Sequence, residues 1–184
     1  ILCIDALLDE KNNARQWHNV DVIIGNPPFQ SKNKMQKEFG ATYMNQLRKA
    51  YPEVSGMADF CTYWFYKAHQ TIKKNAYAGL VGTNTITQNN SRESSLDYIV
   101  NNGGTIFNAV ASQEWEGEAA VFVSIVNWVK GDYSFQKLLY VLDSKNQLTP
   151  YTVAQINSSL SLSIDVRHAN TLACNTTSKM VFQG

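Results

Sequence analysis

Asn26, Pro27, Pro28 and Phe29 follow an apolar run at residues 20–24 and its stop at Gly25. Within four residues they offer a side-chain amide oxygen, a backbone carbonyl and an aromatic face. That set suits an exocyclic amine on a nucleobase, a poor nucleophile because its lone pair is delocalised into the ring. The Asn26 side-chain oxygen and the Pro27 carbonyl can accept from its two N–H groups, localising the lone pair and steering it toward an electrophile. Phe29 can stack on the base, which is worth about 1–3 kcal/mol. The plainer alternative is a Pro-Pro turn that merely ends a core strand. Other chemistry is served less well. Cys3, Cys61 and Cys174 form no Cys-x-x-Cys pair, and His18, His69 and His168 show no ligand spacing, so no metal site is expected.

Such a corner needs rigid support, and the chain is patterned to supply it. The β-branched run 20–24 reads as a buried strand of a parallel sheet. Pro27 and Pro28 fix φ and lack backbone donors, so neither strand nor helix continues through them. The loop therefore sits at a strand's carboxyl end, where open α/β sheets place ligands. Residues 1–4 read as a short strand ending at Asp5, a carboxylate placed to reach a cofactor or to cap a turn. Residues 42–51 read as a helix that Pro52 ends. Residues 58–75 form the clearest helix, with Phe60, Trp64, Ala68 and Ile72 at steps of four. Asp59 falls in its first turn and Lys73 and Lys74 at its end, as the helix dipole favours.

Residues 77–82 read as the next buried strand, followed by a polar loop over 83–88 and a helix over 91–101. Strands are expected at 105–110, 119–129 and 138–142, the first two forming an antiparallel hairpin at the end of the sheet. The polar loop 112–118 between them carries Trp115, and an exposed Trp there is unfavourable unless it meets a partner. Lys32, Lys34 and Lys37 suit phosphates or a solvated helix face almost equally.

Size and charge narrow the class. The chain has 184 residues, 44% hydrophobic and 17% charged, enough for one sizeable core. Its net charge of +1 makes no global case for nucleic acid, so such a partner must be argued from local groups. Scattered cysteines fit a reduced, cytoplasmic setting, and no apolar run is long enough to span a bilayer. The chain starts at Ile1 inside an expected strand and stops at Gly184, and is expected to be a piece of a larger polypeptide.

Asn26-Pro27-Pro28-Phe29 resembles the catalytic motif of amino-methyltransferases that use S-adenosylmethionine, chiefly the adenine-N6 DNA methyltransferases. The motif alone also occurs in methyltransferases of protein glutamine and of RNA guanine amino groups. Three further stretches are similar to the MmeI-like, type IIG restriction–modification enzymes: Met57-Ala58-Asp59-Phe60 through Trp64, Gly82-Thr83-Asn84-Thr85-Ile86-Thr87-Gln88, and Trp115-Glu116-Gly117-Glu118-Ala119-Ala120-Val121. Asn157-Ser158-Ser159-Leu160 and Phe182-Gln183-Gly184 resemble the passage from methyltransferase to target recognition in that group. The resemblance implies an α/β, Rossmann-like class I methyltransferase sheet with an antiparallel terminal hairpin and its N-terminal strands missing. It implies that Asn26, Pro27, Pro28 and Phe29 are catalytic and that Asp5, Ala6, Asn26 and Trp64 bind S-adenosylmethionine. Trp115 would pack against a target adenine flipped from duplex DNA.

The departures from the family pattern matter as well. No Gly-rich loop for the cofactor's methionine end and no acidic residue for its ribose is present, both belonging upstream of Ile1 in the family's order. Residues 1–150 are thus expected to be the catalytic part of a methyltransferase domain, and 151–184 a connection toward a target-recognition domain. The missing N- and C-terminal regions become partners, and the fragment alone is expected to bind cofactor poorly. Two alternatives stand: a non-catalytic scaffold for DNA or a subunit, and an amino-methyltransferase acting on RNA or protein.

Overall fold

The computed structural model describes residues 3–115 and 121–163. Six strands make one mixed sheet in the order β1-β2-β4-β3-β5-β6. β1 (Val22–Gly25) runs parallel to β2 (Tyr77–Thr83). β4 (Val121–Lys130) is antiparallel to both β2 and β3 (Gly104–Trp115). β5 (Lys137–Leu142) is parallel to β3, and β6 (Leu148–Val153) closes the far edge antiparallel to β5. The antiparallel hairpin is therefore present, with β4 inserted between two parallel strands. It is not terminal as expected, because β5 and β6 carry the sheet beyond β3.

Strand alternation sets the core. Ala78 and Leu80 of β2, Ile106 and Ala109 of β3, and Val126 and Trp128 of β4 are buried on one face. Against them pack Phe65 and Ala68 of α2 (Thr62–Thr71). Leu96 and Ile99 join from a second helix built of three pieces: α3 (Asn89–Arg92), a π-helical turn (Glu93–Asp97) and α4 (Tyr98–Asn101). Gly82 permits this closeness, since a Cβ there would come within 2.9 Å of the Phe65 ring.

α1 (Lys32–Ala50) lies outside α2. Its Met35, Met44 and Leu47 form a second core with Tyr51, Phe60, Tyr63, Tyr66, Leu7 and Leu8. Two helical segments meet at Gly40: the one after it agrees with the helix expected from residue 42, and the one from Lys32 precedes it. Gly40, at φ 79° and ψ 161°, leaves the helical conformation between them, which a residue without Cβ does readily.

Several expectations are corrected. Cys3 and Ile4 belong to no strand, and the rest of the strand expected over residues 1–4 lies outside the described residues. β1 is not buried: among the described residues it pairs with β2 alone, and Val22 is 57% and Ile24 81% exposed on the face away from the helices. α2 is shorter than residues 58–75. Residues 58–61 make turns instead, because the Asp59 amide and carboxylate are bound outside the helix. Ser112–Trp115 are strand and not loop, since Gln113, Glu114 and Trp115 pair with Val123, Phe122 and Val121.

β6 crosses Pro150, which sits on an edge strand where a missing N–H is tolerated. Ile156 and Leu160 then join the main core. Between them Asn157 accepts from the Ser161 amide, and Ser158 donates to Asp97, anchoring this loop on the helix. No helix among the described residues is long and apolar enough to cross a membrane.

His69 of α2 lies in this interior. Trp128 Nε1 donates to its Nδ1 (3.2 Å), so its Nε2–H donates to the Asn102 carbonyl (3.1 Å). Burial, the larger influence, holds its pKa below the ordinary imidazole value, against a smaller opposite pull from Asn102. The unfolded chain takes up this proton at about pH 6.5 and the folded chain only at lower pH. Its stability contribution is therefore complete above about pH 6.5 and declines as pH falls toward the folded value. Urea midpoints should be lower at about pH 5.5 than at about pH 7.5, with a smaller difference in His69→Gln. Equal pH sensitivity in the two proteins would contradict this.

Candidate functional site

Parallel β1, β2 and β3 end on the same side of the sheet, so its topology gathers three separated stretches there. They are the corner at 26–29, the turn Asn84–Thr87 after β2, and Trp115 at the end of β3. The ring centroids of Phe29 and Trp115 lie 6.1 Å apart with planes at 90°. Two aromatics 86 positions apart in sequence thus make one half-buried corner. Asn26 beside it is exposed and Pro27 is buried. An exposed amide next to an aromatic corner is free to take an incoming ligand, whereas a packed one would not be.

The loop is held from below. The Gln30 carbonyl accepts from the Phe60 amide at 2.9 Å, tying the strand's exit to the turn before α2. One residue earlier, Asp59 Oδ2 accepts from Thr83 Oγ1 (2.8 Å) and Thr85 Oγ1 (2.5 Å), while its amide donates to Ser91 Oγ (3.0 Å). Asp59 does not serve the helix dipole as expected: it precedes the helix and serves the end of β2. Cys61 next to it is fully buried, and burial pushes its thiol up to about 11. It remains a neutral thiol near neutral pH, unsuited to nucleophilic work.

Trp64 is half-buried and meets Phe60 edge-on at 4.7 Å, so it connects to the corner through Phe60. Phe60 in turn touches Phe39, and Phe39 touches Tyr43. Burial raises the Tyr43 phenol above its ordinary pKa, assisted by a hydrogen bond to Asp5. Asp5 is exposed and its Oδ1 accepts from the Leu7 and Leu8 amides at 2.7 and 2.9 Å. The Ala6 carbonyl accepts from Trp17 Nε1 at 2.7 Å. The structure thus brings Phe29 and Trp115 into contact, and links Asp5 and Trp64 to each other through Tyr43, Phe39 and Phe60, a series that reaches the corner through the Phe60 amide on the Gln30 carbonyl. Lys34 and Lys37 are exposed on the first half of α1.

Two features escaped sequence reading. Nothing in the spacing of Thr83 and Thr85 announces a partner 24 to 26 positions earlier. The Gln30 Oε1 atom, buried without a hydrogen-bond partner among the described residues, is equally invisible in sequence.

The family described as MmeI, DNA-methyltransferase domain, matches residues 5–141. Among solved structures the chain is similar to the Type IIL restriction-modification enzyme MmeI, determined in complex with DNA. Identity is 27% and the TM-score 0.66, over 79% of this chain and 20% of that one. It therefore spans about a fifth of that enzyme's length. The type IIG restriction endonuclease BpuSI matches at 16% identity and a TM-score of 0.46, over 67% of this chain and 15% of that one. A modification subunit of a putative type I restriction enzyme from Vibrio vulnificus YJ016 matches at 12% identity and 0.49, over 96% and 33%. These last two overlaps are too loose to carry an argument. No curated protein matches the sequence.

Proposed function

The chain belongs to the MmeI DNA-methyltransferase domain family, and from that premise we propose that it is the catalytic part of an adenine-N6 DNA methyltransferase within a restriction–modification enzyme. The observation that carries this reading is the perpendicular Phe29–Trp115 corner beside an exposed Asn26. In the proposed site an adenine flipped from duplex DNA stacks on Phe29 and is packed at its edge or other face by Trp115. The Asn26 side-chain oxygen and the Pro27 carbonyl accept from the N6 amine and hold its lone pair outward. Pro28 stiffens the corner so that these acceptors are placed before the base arrives. As the N6–carbon bond formed, the sulfur–methyl bond of the donor would break with its electron pair left on sulfur as a thioether, and the amine would lose one proton to water.

S-adenosylmethionine, when bound, supplies an electrophilic methyl on a sulfonium. The donor set fits its adenosine end. Asp5 presents a carboxylate fixed by two backbone amides, Ala6 lies beside it, and Trp64 presents a half-buried ring. Asn26 completes the cofactor side. These residues account for the adenosine end alone. Residues 1–150 are proposed as the catalytic part and 151–184 as the connection toward target recognition. The free thiols of Cys3 and Cys61 accord with a cytoplasmic setting.

The test offers the full-length polypeptide carrying this domain S-adenosylmethionine with a tritiated methyl, and duplex DNA, RNA or peptide as acceptor. Label should enter duplex DNA alone. Label entering RNA or peptide instead would replace this reading with an amino-methyltransferase of another substrate, and no label with any acceptor would favour a scaffold.

A further inference from the structure

We infer that Asp59 is a positioning residue for the Asn26–Phe29 corner, clamping the end of β2 to the segment that holds the corner in place. The inference rests on the function proposed above and deepens it. A partly buried carboxylate is costly unless its oxygens are satisfied. The ion pairs among the described residues are Arg15–Glu10, Lys73–Asp21 and Arg92–Asp97, and none involves Asp59. What it has instead is hydroxyls: Thr83 and Thr85 converge on one oxygen, and Cys61 Sγ lies 3.6 Å from Thr83 Oγ1. An apolar residue packed there would fill the space without a charge to desolvate. The arrangement is directional where apolar packing is not, and its direction is informative.

Three elements meet at this residue. The carboxylate fixes the first turn after β2, and the amide is fixed by Ser91 of α3. The next amide, Phe60 N, holds the Gln30 carbonyl one residue past Phe29. The carboxylate and the hydrogen bond that sets the corner's height are thus adjacent along the backbone. Releasing the carboxylate lets residues 59–60 drift, and with them Gln30 and the Phe29 ring against Trp115. A misplacement of about 1 Å at a reacting centre costs up to about a hundredfold in rate.

The experiment uses the full-length enzyme in parent form and as Asp59→Ala, Thr83→Val and Thr83→Ser. It measures single-turnover methyl transfer, cofactor affinity, unfolding midpoint, and hydrogen exchange at the Phe29, Gln30 and Phe60 amides. Asp59→Ala and Thr83→Val should slow transfer about tenfold or more with cofactor affinity within about threefold, and exchange at the three amides should rise. Thr83→Ser, which keeps the hydroxyl, should restore both rate and protection. Asp59→Ala with the parent's rate and exchange, or with only a lowered midpoint, would overturn the inference. A parent enzyme that transfers no methyl, yet shows the exchange response to Asp59→Ala, would uphold the clamp and sink the proposed function instead.

Discussion

Asn26→Ala in the full-length enzyme is expected to slow methyl transfer by roughly one to two decades or more, with the unfolding midpoint essentially unchanged. The rate effect follows from losing one of two acceptors for the target amine. An aligned acceptor whose partner stays buried is worth roughly 1–3 kcal/mol, and each 1.4 kcal/mol is about a factor of ten in rate. The stability half of the expectation follows from the environment of Asn26. It is exposed and makes no hydrogen bond among the described residues, so its removal leaves no buried group unpaired. Asn26→Asp should fall between the two, because it keeps an acceptor while placing a charge beside the base. Single-turnover labelling with a parallel melting curve separates loss of chemistry from loss of fold.

Trp128→Ala should do the reverse and destabilise the fold without touching the site. The side chain is fully buried at the middle of the sheet, stacked on Phe65 at 5.7 Å with planes 19° apart. Truncating such a residue costs about 3–5 kcal/mol, from lost burial and from a cavity that rigid neighbours cannot close. The indole N–H also holds His69 Nδ1, which becomes an unpaired buried acceptor in the variant. A domain of this size has about 5–15 kcal/mol in total, so a large share of its stability goes. At about 2–4 °C per kcal/mol the melting temperature should fall by roughly 6–20 °C. Trp128→Phe, which keeps a ring for Phe65, should cost markedly less. A variant that melted within a degree or two of the parent would show that α2 is held to the sheet by something else.

Much of this was legible because it is local. Two prolines end β1 wherever the rest of the chain goes, and Trp64 and Ala68 mark the inward side of α2 by period, with Phe60 and Ile72 buried just beyond its ends. Trp115 was legible as an oddity, a large aromatic among polar residues, although its strand was not. Polar residues 112–114 do not look like strand, and only the partner Val121–Val123 makes them one. The exposure of β1 was hidden for a similar reason. An apolar run tells that a strand can be buried, whereas burial also needs a layer over each face. Among the described residues only one face of β1 has such a layer. The first segment of α1 is hidden in sequence by its lysines, while Gly40, where the backbone leaves the helix, marks the start of the second. Asp59 looks like a dipole partner in sequence, which shows only neighbours along the chain, whereas its partners come from the end of β2, the turn after it and α3.

The proposed role of the corner after β1 is to present an adenine's N6 to a methyl donor. Its most direct measurement is the identity of the modified nucleoside in DNA from cells expressing the full-length enzyme, digested and read by mass spectrometry beside DNA from cells expressing Asn26→Ala. N6-methyldeoxyadenosine is expected in the first sample and none above background in the second. A methylated cytosine, no methylated base at all, or an unchanged yield with Asn26→Ala would contradict that role.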